Sequence, residues 1–260
     1  MKEDFQAPVV TRIRHELTRR TLTVSRVERL PPGMVRIVLS GEELRGFSSL
    51  GFDDHIKLFF PPVNESQGMA PAMRDFTPRR FMAEQGELWI DFFLHEGGPA
   101  TDWAARASVG QTLQIAGPKG SSVIAPDGID VHLLIGDETA VPAISRRLEE
   151  LPPSARALVV IEVEASAERP GLESQAGVQF VWVVRDHPNG QPAHAIIEAL
   201  RKLELAPGRC FAWVACESRS ARAVRAHLRD DRGFDRRWIK AAGYWQQGAA
   251  GTHDSIPVEA

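Results

Sequence analysis

The sequence predicts a β + α/β chain, with an antiparallel β-barrel or sandwich in its first half and a parallel, helix-covered sheet in its second. Three observations carry this. Up to about Ser122, apolar residues alternate in short runs that Gly and Pro cut off. From about Ile129, nearly continuous apolar runs alternate with stretches of helical spacing. Between them lies the turn-rich Ala125-Pro126-Asp127-Gly128. The division is therefore an N-terminal extension over 1–18, a barrel domain over 19–126 and an α/β domain over 127–260 with a C-terminal tail.

In the first half, Val35, Ile37 and Leu39 repeat at period two until Ser40-Gly41 ends the run. Ile56-Lys57-Leu58-Phe59-Phe60 stops at Pro61-Pro62. Leu88, Ile90 and Phe92 alternate with outward-facing Trp89 and Asp91, and Thr112-Leu113-Gln114-Ile115 stops at Gly117-Pro118. In the second half, Val131-His132-Leu133-Leu134-Ile135 reads as a strand covered on both faces, and a helix follows through Ser145-Arg146-Arg147-Leu148. Ala157 to Val163 and Val178 to Val184 read as further buried strands. Ile196, Ile197, Leu200 and Leu203 recur at helical spacing, as do Ala221, Val224 and Leu228, with a strand from Cys210 to Ala215 between them.

The composition narrows the function classes. With 43% hydrophobic and 25% charged residues the chain reads as globular, and its net charge of −3 gives no nucleic-acid footprint. No apolar run approaches a membrane span, and Met1-Lys2-Glu3-Asp4-Phe5 lacks the design of a signal peptide, so a cytoplasmic protein is expected. The two cysteines, Cys210 and Cys216, have neither zinc nor iron–sulfur spacing. Their even separation puts both on one face of a strand as small core residues.

Four segments carry candidate chemistry. Arg74-Asp75-Phe76-Thr77-Pro78-Arg79-Arg80 can offer guanidinium to a diphosphate, an aromatic wall to a ring system and a hydroxyl to a ring nitrogen; it also reads as a solvated basic strand edge. His95-Glu96-Gly97-Gly98-Pro99-Ala100-Thr101-Asp102-Trp103 joins a strand to a helix start whose bare N–H groups suit a phosphate, unless it is a plain corner. Gly136-Asp137-Glu138-Thr139-Ala140 follows the first buried strand, where parallel sheets bind ligands. Its acids suit a neutral or cationic ring better than a pyrophosphate, although Asp137 also reads as a helix cap. Ala242-Gly243-Tyr244-Trp245 offers a stacking surface or ordinary core aromatics.

In this order and spacing the segments resemble the siderophore-interacting protein family, a branch of the ferredoxin–NADP reductase-like flavoproteins. The matching residues are Arg74-x-Phe76-Thr77-x-Arg79, His95-x-x-Gly98-Pro99-Ala100-x-x-Trp103, Gly117-Pro118-Lys119-Gly120, Gly136-Asp137-Glu138-Thr139-Ala140, Trp213-Val214-Ala215-Cys216-Glu217 and Gly243-Tyr244-Trp245. The resemblance implies a six-stranded antiparallel flavin-binding β-barrel, then a nicotinamide-binding parallel α/β domain. It implies an FAD-dependent reductase that passes electrons from NADPH, or NADH, to the iron of a ferric siderophore, while the two cysteines by their number and spacing predict no iron–sulfur cluster.

Thr77 would sit near the reactive edge of the flavin, and Arg74 or Arg79 near its diphosphate. Phe76 would line the ring, while His95, Gly98, Pro99, Ala100, Thr101 and Trp103 would hold the rest of FAD. Thr139 and Ala140 would border the place where nicotinamide meets flavin; Asp137, Glu217, Tyr244 and Trp245 would also bind cofactor, with Thr77 and Thr139 as the catalytic residues. Lys57 and, as a weaker second, Lys119 would face an anionic chelate. Glu164 could accept from a ribose 2′-hydroxyl, whereas Ser166 and Arg169 could receive a 2′-phosphate.

The chain departs from the family pattern at Phe76, where Tyr is usual, at Lys119, where Arg is commoner, and at Cys216, a usual Gly position. A general flavin-linked reductase with a protein or free ferric partner, and a non-enzymatic flavin or siderophore carrier, stand as alternatives.

Overall fold

The computed structural model describes residues 7–30, 33–62, 70–95, 97–164, 169–186, 190–204, 209–249, 251 and 254–256. These fall into two compact units, one of residues 11–123 with 169–171, the other of 7–10, 124–164 and 172–256.

The first unit contains β1 (Val10–Arg14), β2 (Arg19–Leu30), β3 (Met34–Ser40), β4 (Ile56–Phe60), β5 (Ala72–Phe76), β6 (Arg80–Met82), β7 (Glu87–Phe93), helix α1 (Pro99–Arg106), β8 (Thr112–Ala116) and β9 (Gly120–Ile124). Seven of the strands form one antiparallel sheet in the order β5-β4-β8-β2-β3-β7-β6. Alternation places Leu22 and Leu88 inside with Ile37, Leu58, Ile90 and Phe92, and these residues build the core of the unit.

The two edges of this sheet, β5 and β6, are separated in the chain only by Thr77, Pro78 and Arg79. Three extended residues span roughly 10 Å, so the sheet curls enough to bring the end of β5 within that reach of the start of β6, with no strand pairing between the two among the described residues. Pro78 lacks the N–H that would continue one strand through this point. The segment that reads as one extended stretch is thus the seam of the curled sheet, and the strand count is seven where six were expected. Within residues 1–18, β1 pairs with β9. Gly120 permits this pairing, because a Cβ there would lie 2.7 Å from the carbonyl oxygen of Ile13.

The second unit contains β10 (Val131–Asp137), α2 (Val141–Glu150), β11 (Arg156–Val163), β12 (Gly177–Val184), α3 (His194–Lys202), β13 (Cys210–Glu217), α4 (Ser218–Ala226), β14 (Ile239–Trp245) and β15 (Asp254–Ile256). The sheet order is β12-β11-β10-β13-β14-β15, parallel except for β15. The chain runs outward from β10 through β11 to β12, then returns to the other side of β10 as β13. A switch point therefore lies between the C-terminal ends of β10 and β13, the usual ligand position in such sheets.

Leu133, Ile135 and Val160 pack against Ile196 and Leu200 of α3 and Ala221 and Val224 of α4. The expectation for Val178 to Val184 needs correction: the strand exists, but as an edge, with Phe180 36% and Val184 52% exposed. An apolar run does not reveal whether a strand has one neighbour or two. Cys210 and Cys216 both pack on the α3/α4 face, and burial pushes the Cys210 thiol up to about 12, out of the reactive range. No helix among the described residues is long and apolar enough to cross a membrane.

Candidate functional site

In the first unit, register places Phe76 opposite Ile56 and Arg74 opposite Leu58, with Asp75 opposite Lys57 between them. The Phe76 ring lies 4.4 Å from that of Phe92 and 6.1 Å from that of Phe60, centroid to centroid. Trp103 packs 5.7 Å from Phe60 and 6.0 Å from Phe92. Phe76 and Trp103, read separately from sequence, thus belong to one aromatic cluster lying partly in the core.

The two candidate arginines differ in environment. Arg74 is half-buried, and its Nη1 donates to its neighbour's carbonyl, Met73 O, at 2.8 Å. Arg79 is buried, with its backbone N–H on Trp89 O and its Nε 3.8 Å from Asp91. Asp91 also accepts both arms of Arg36 at 2.7 and 2.8 Å. In this group, Arg36-Asp91-Arg79, Asp91 and Arg79 are buried and Arg36 is half-buried; alternation places Asp91 outward but does not say which charges converge on it. Thr77 is buried at the seam.

Beyond β7, Gly97 and Gly98 take positive φ of 73° and 119°, which a side chain would strain. Helix α1 then begins with Pro99 at its first position and no side-chain cap, so the amides of Ala100 and Thr101 are not capped by a side chain. A Cβ added at Gly97 would meet nothing within 4 Å, and one at Gly98 only His95 Cε1 at 3.5 Å. Open space before an uncapped helix start fits a diphosphate. Together with the Arg74 guanidinium and the Phe76 ring, these residues fit a dinucleotide carrying a planar ring.

Lys57 does not present an uncompensated charge. Its Nζ donates to both carboxylate oxygens of Asp75 at 2.9 Å. Lys119 is exposed, and its carbonyl accepts from the amide of His15 at 3.0 Å.

In the second unit, the predicted residues converge on Asp137. Asp137 is 1% exposed. One oxygen accepts from the amide of Thr139 at 2.9 Å and from the Thr139 hydroxyl. The other accepts from the amide of Glu217 at 3.2 Å and from Trp245 Nε1 at 2.8 Å. Asp137 caps the turn that carries Thr139 and Ala140, and it ties together the ends of β10, β13 and β14. Glu217 caps α4, accepting from Arg219 and Ser220 at 2.7 and 3.0 Å. Tyr244 meets Trp213 edge to face, 6.0 Å between centroids.

Two glycines permit this closeness. A Cβ on Gly136 would lie 2.3 Å from that of Ala140, and one on Gly243 would lie 2.2 Å from Ser218 Oγ.

Beside this hub, Arg185 bonds to Glu138, Glu162 and Glu164. Burial holds the Glu138 pKa above the ordinary carboxylate value, partly offset by Arg185. Burial opposes the Arg185 charge, yet Glu138 and Glu162 keep its pKa above normal. Nothing in the local sequence signals that these four meet. Ser166 lies outside the described residues.

Residues 129–248 match the profile of the siderophore-interacting protein family, and residues 23–71 and 63–122 that of the siderophore-interacting FAD-binding domain. The NADPH-dependent ferric-chelate reductase of Escherichia coli (strain K12) is 36% identical over 251 residues, which cover 90% of this chain and 95% of that protein. The ferric vibriobactin reductase ViuB of Vibrio cholerae is 33% identical over 246 residues, covering 88% of this chain and 90% of that one. The crystal structure of a siderophore utilization protein from T. fusca matches with a TM-score of 0.84 at 33% identity, over 94% of this chain and 98% of that chain. With both halves matched and these relatives covered almost end to end, the chain belongs to the siderophore-interacting protein family.

Proposed function

We propose that this chain is an FAD-dependent NADPH:ferric-siderophore reductase acting in the cytoplasm, with NADH as an alternative donor and a ferric siderophore as its substrate. The match of both halves to the family, alongside relatives named as ferric-chelate and ferric vibriobactin reductases, carries this reading. FAD, when held by these residues, would supply the conversion between two-electron hydride chemistry and one-electron reduction of iron. Reduction lowers the charge of the hard ferric ion and loosens its oxygen ligands, so no nucleophile or general base is required.

The chain binds and orients. The uncapped start of α1, from Gly98 through Pro99 and Ala100 to Thr101, and the Arg74 guanidinium hold the diphosphate. Arg79, turned toward Asp91, braces the seam instead. Phe76 provides the apolar wall for the ring, Thr77 a hydroxyl at its edge, and His95 flanks the diphosphate turn. Asp137 holds Thr139, Glu217 and Trp245 in place, so that Thr139, Ala140, Tyr244 and Trp245 receive the nicotinamide. Lys57, moderated by Asp75, and Lys119 attract an anionic chelate.

Anaerobic mixing of the yellow holoprotein with NADPH tests the donor half: the flavin band should bleach. Adding a ferric siderophore with a ferrous-specific chromogen should then restore the flavin and colour the trap. A protein that stays colourless after incubation with FAD, or a reduced flavin that no ferric chelate reoxidises, would refute the proposal.

A further inference from the structure

The C-terminal edge of the second sheet carries a charge arrangement that electron transfer does not itself require. Glu138 follows β10, Glu162 and Glu164 lie at the end of β11, and Arg185 follows β12. Arg185 Nε donates to Glu162 Oε2 at 3.1 Å, while Nη1 and Nη2 donate to Glu164 and Glu138. The backbone locks this in place: the amide of Glu164 donates to Glu138 Oε1 at 2.9 Å, and that of Arg185 to Val163 O at 2.8 Å.

The three carboxylates are not equivalent. Glu138 and Glu162 are 6% and 3% exposed, and buried carboxylates need their cation. The Glu164 side chain is 58% exposed. Water can take over its solvation, so leaving Arg185 costs it little.

The placement gives the arrangement its meaning. In a parallel nucleotide-binding sheet, the end of the second strand of the first β-α-β unit is where the adenosine ribose is read. An acid there accepts from the 2′-hydroxyl, or a nearby arginine pairs with a 2′-phosphate. Here the acid and the arginine are bonded to each other.

Resting on the nicotinamide reading above, we infer that Glu164 and Arg185 set the dinucleotide selectivity, with the Glu164 carboxylate occupying the edge of Arg185 that the 2′-phosphate of NADPH would take. Arg185 attracts the phosphate through Nη1, the nitrogen that Glu164 now holds, while Nε and Nη2 stay on Glu162 and Glu138. Glu164 opposes it, both by holding that edge and by like charge, and must turn into solvent when NADPH binds.

The test uses FAD-loaded protein and two fragments that differ only in the 2′-phosphate, 2′,5′-ADP and 5′-AMP, with affinity read by calorimetry. Glu164→Gln removes the charge and keeps the shape. It should tighten 2′,5′-ADP by about tenfold while 5′-AMP stays unchanged or weakens. Arg185→Lys keeps a cation for Glu138 and Glu162 but loses the planar fork, and should weaken 2′,5′-ADP selectively by about tenfold. Should the lysine variant fail to fold, shown by its melting curve, the glutamine variant decides alone. If Glu164→Gln moves both fragments equally, or neither, the selectivity assignment is wrong and the nicotinamide reading stands. If the wild type binds neither fragment, the nicotinamide reading fails and the assignment falls with it.

Discussion

Asp137 is the residue whose replacement the structure prices most directly. Its two oxygens accept four hydrogen bonds, from the amide and hydroxyl of Thr139, the amide of Glu217 and the indole of Trp245. Asparagine offers only one acceptor oxygen. Turned so that this oxygen serves Glu217 and Trp245, its amide can donate to the Thr139 hydroxyl, but the Thr139 amide is then left facing another N–H. One unsatisfied donor together with the lost charge assistance costs about 2–3 kcal/mol.

Alanine removes every acceptor and takes the partner from three half-buried N–H groups, those of Thr139, Glu217 and the Trp245 indole, for about 3–5 kcal/mol. Urea unfolding of the holoprotein should therefore rank wild type above Asp137→Asn above Asp137→Ala. The asparagine variant should melt roughly 4–10 °C lower, and the Trp245 indole N–H resonance should move most in the alanine variant. Equal losses in the two variants, or losses below about 1 kcal/mol in both, would refute the hub.

Three further outcomes follow from the same kind of reasoning. His132 is fully buried with no hydrogen-bond partner at either ring nitrogen among the described residues, and burial, helped by Arg147, holds its pKa down to about 3. The unfolded chain takes up this proton below about pH 6.5 and the native state does not, so stability is full above that pH and falls between about 6.5 and 3. Lowering the pH from 7 to 5 should cost about 2 kcal/mol through this residue. Denaturant melts of His132→Leu at both pH values should lack that part of the loss, and an unchanged acid slope would count against it.

Gly243→Ala would place a Cβ 2.2 Å from Ser218 Oγ and 2.8 Å from Ser218 Cα. Overpacking there should cost about 3 kcal/mol and slow flavin reduction by NADPH more than it lowers flavin content. A variant with normal melting and normal reduction would show that the approach is not tight.

Because Asp75 holds Lys57, Asp75→Asn should lower KM for anionic ferric chelates and Lys57→Ala should raise it, each by about two- to fivefold. If Lys57→Ala leaves every chelate unaffected, Lys57 does not face the substrate.

Much of this chain could be read before any fold was known, and the reason is the short range of the signals. Period-two alternation at Leu88, Ile90 and Phe92 depends only on strand geometry, and all three are buried in β7. The spacing of Ala221, Val224 and Leu228 likewise marks the buried face of α4 and the turn after it. The motifs that carry the family resemblance are contiguous stretches, legible for the same reason.

Tertiary structure alone decided the rest, because those features join residues that the chain separates widely. Asp137 meets Glu217 across 80 positions and Trp245 across 108. Thr77, Pro78 and Arg79 become a seam only because β5 and β6 end up at opposite edges of one sheet. Whether Val178 to Val184 has a neighbour on each side depends on strand order, and whether Lys57 is a bare charge depends on the register that sets Asp75 across from it. Periodicity shows which face of an element is apolar. Which distant charges share that element's edge is settled only when the elements assemble, since pairing across a sheet is fixed by topology and register.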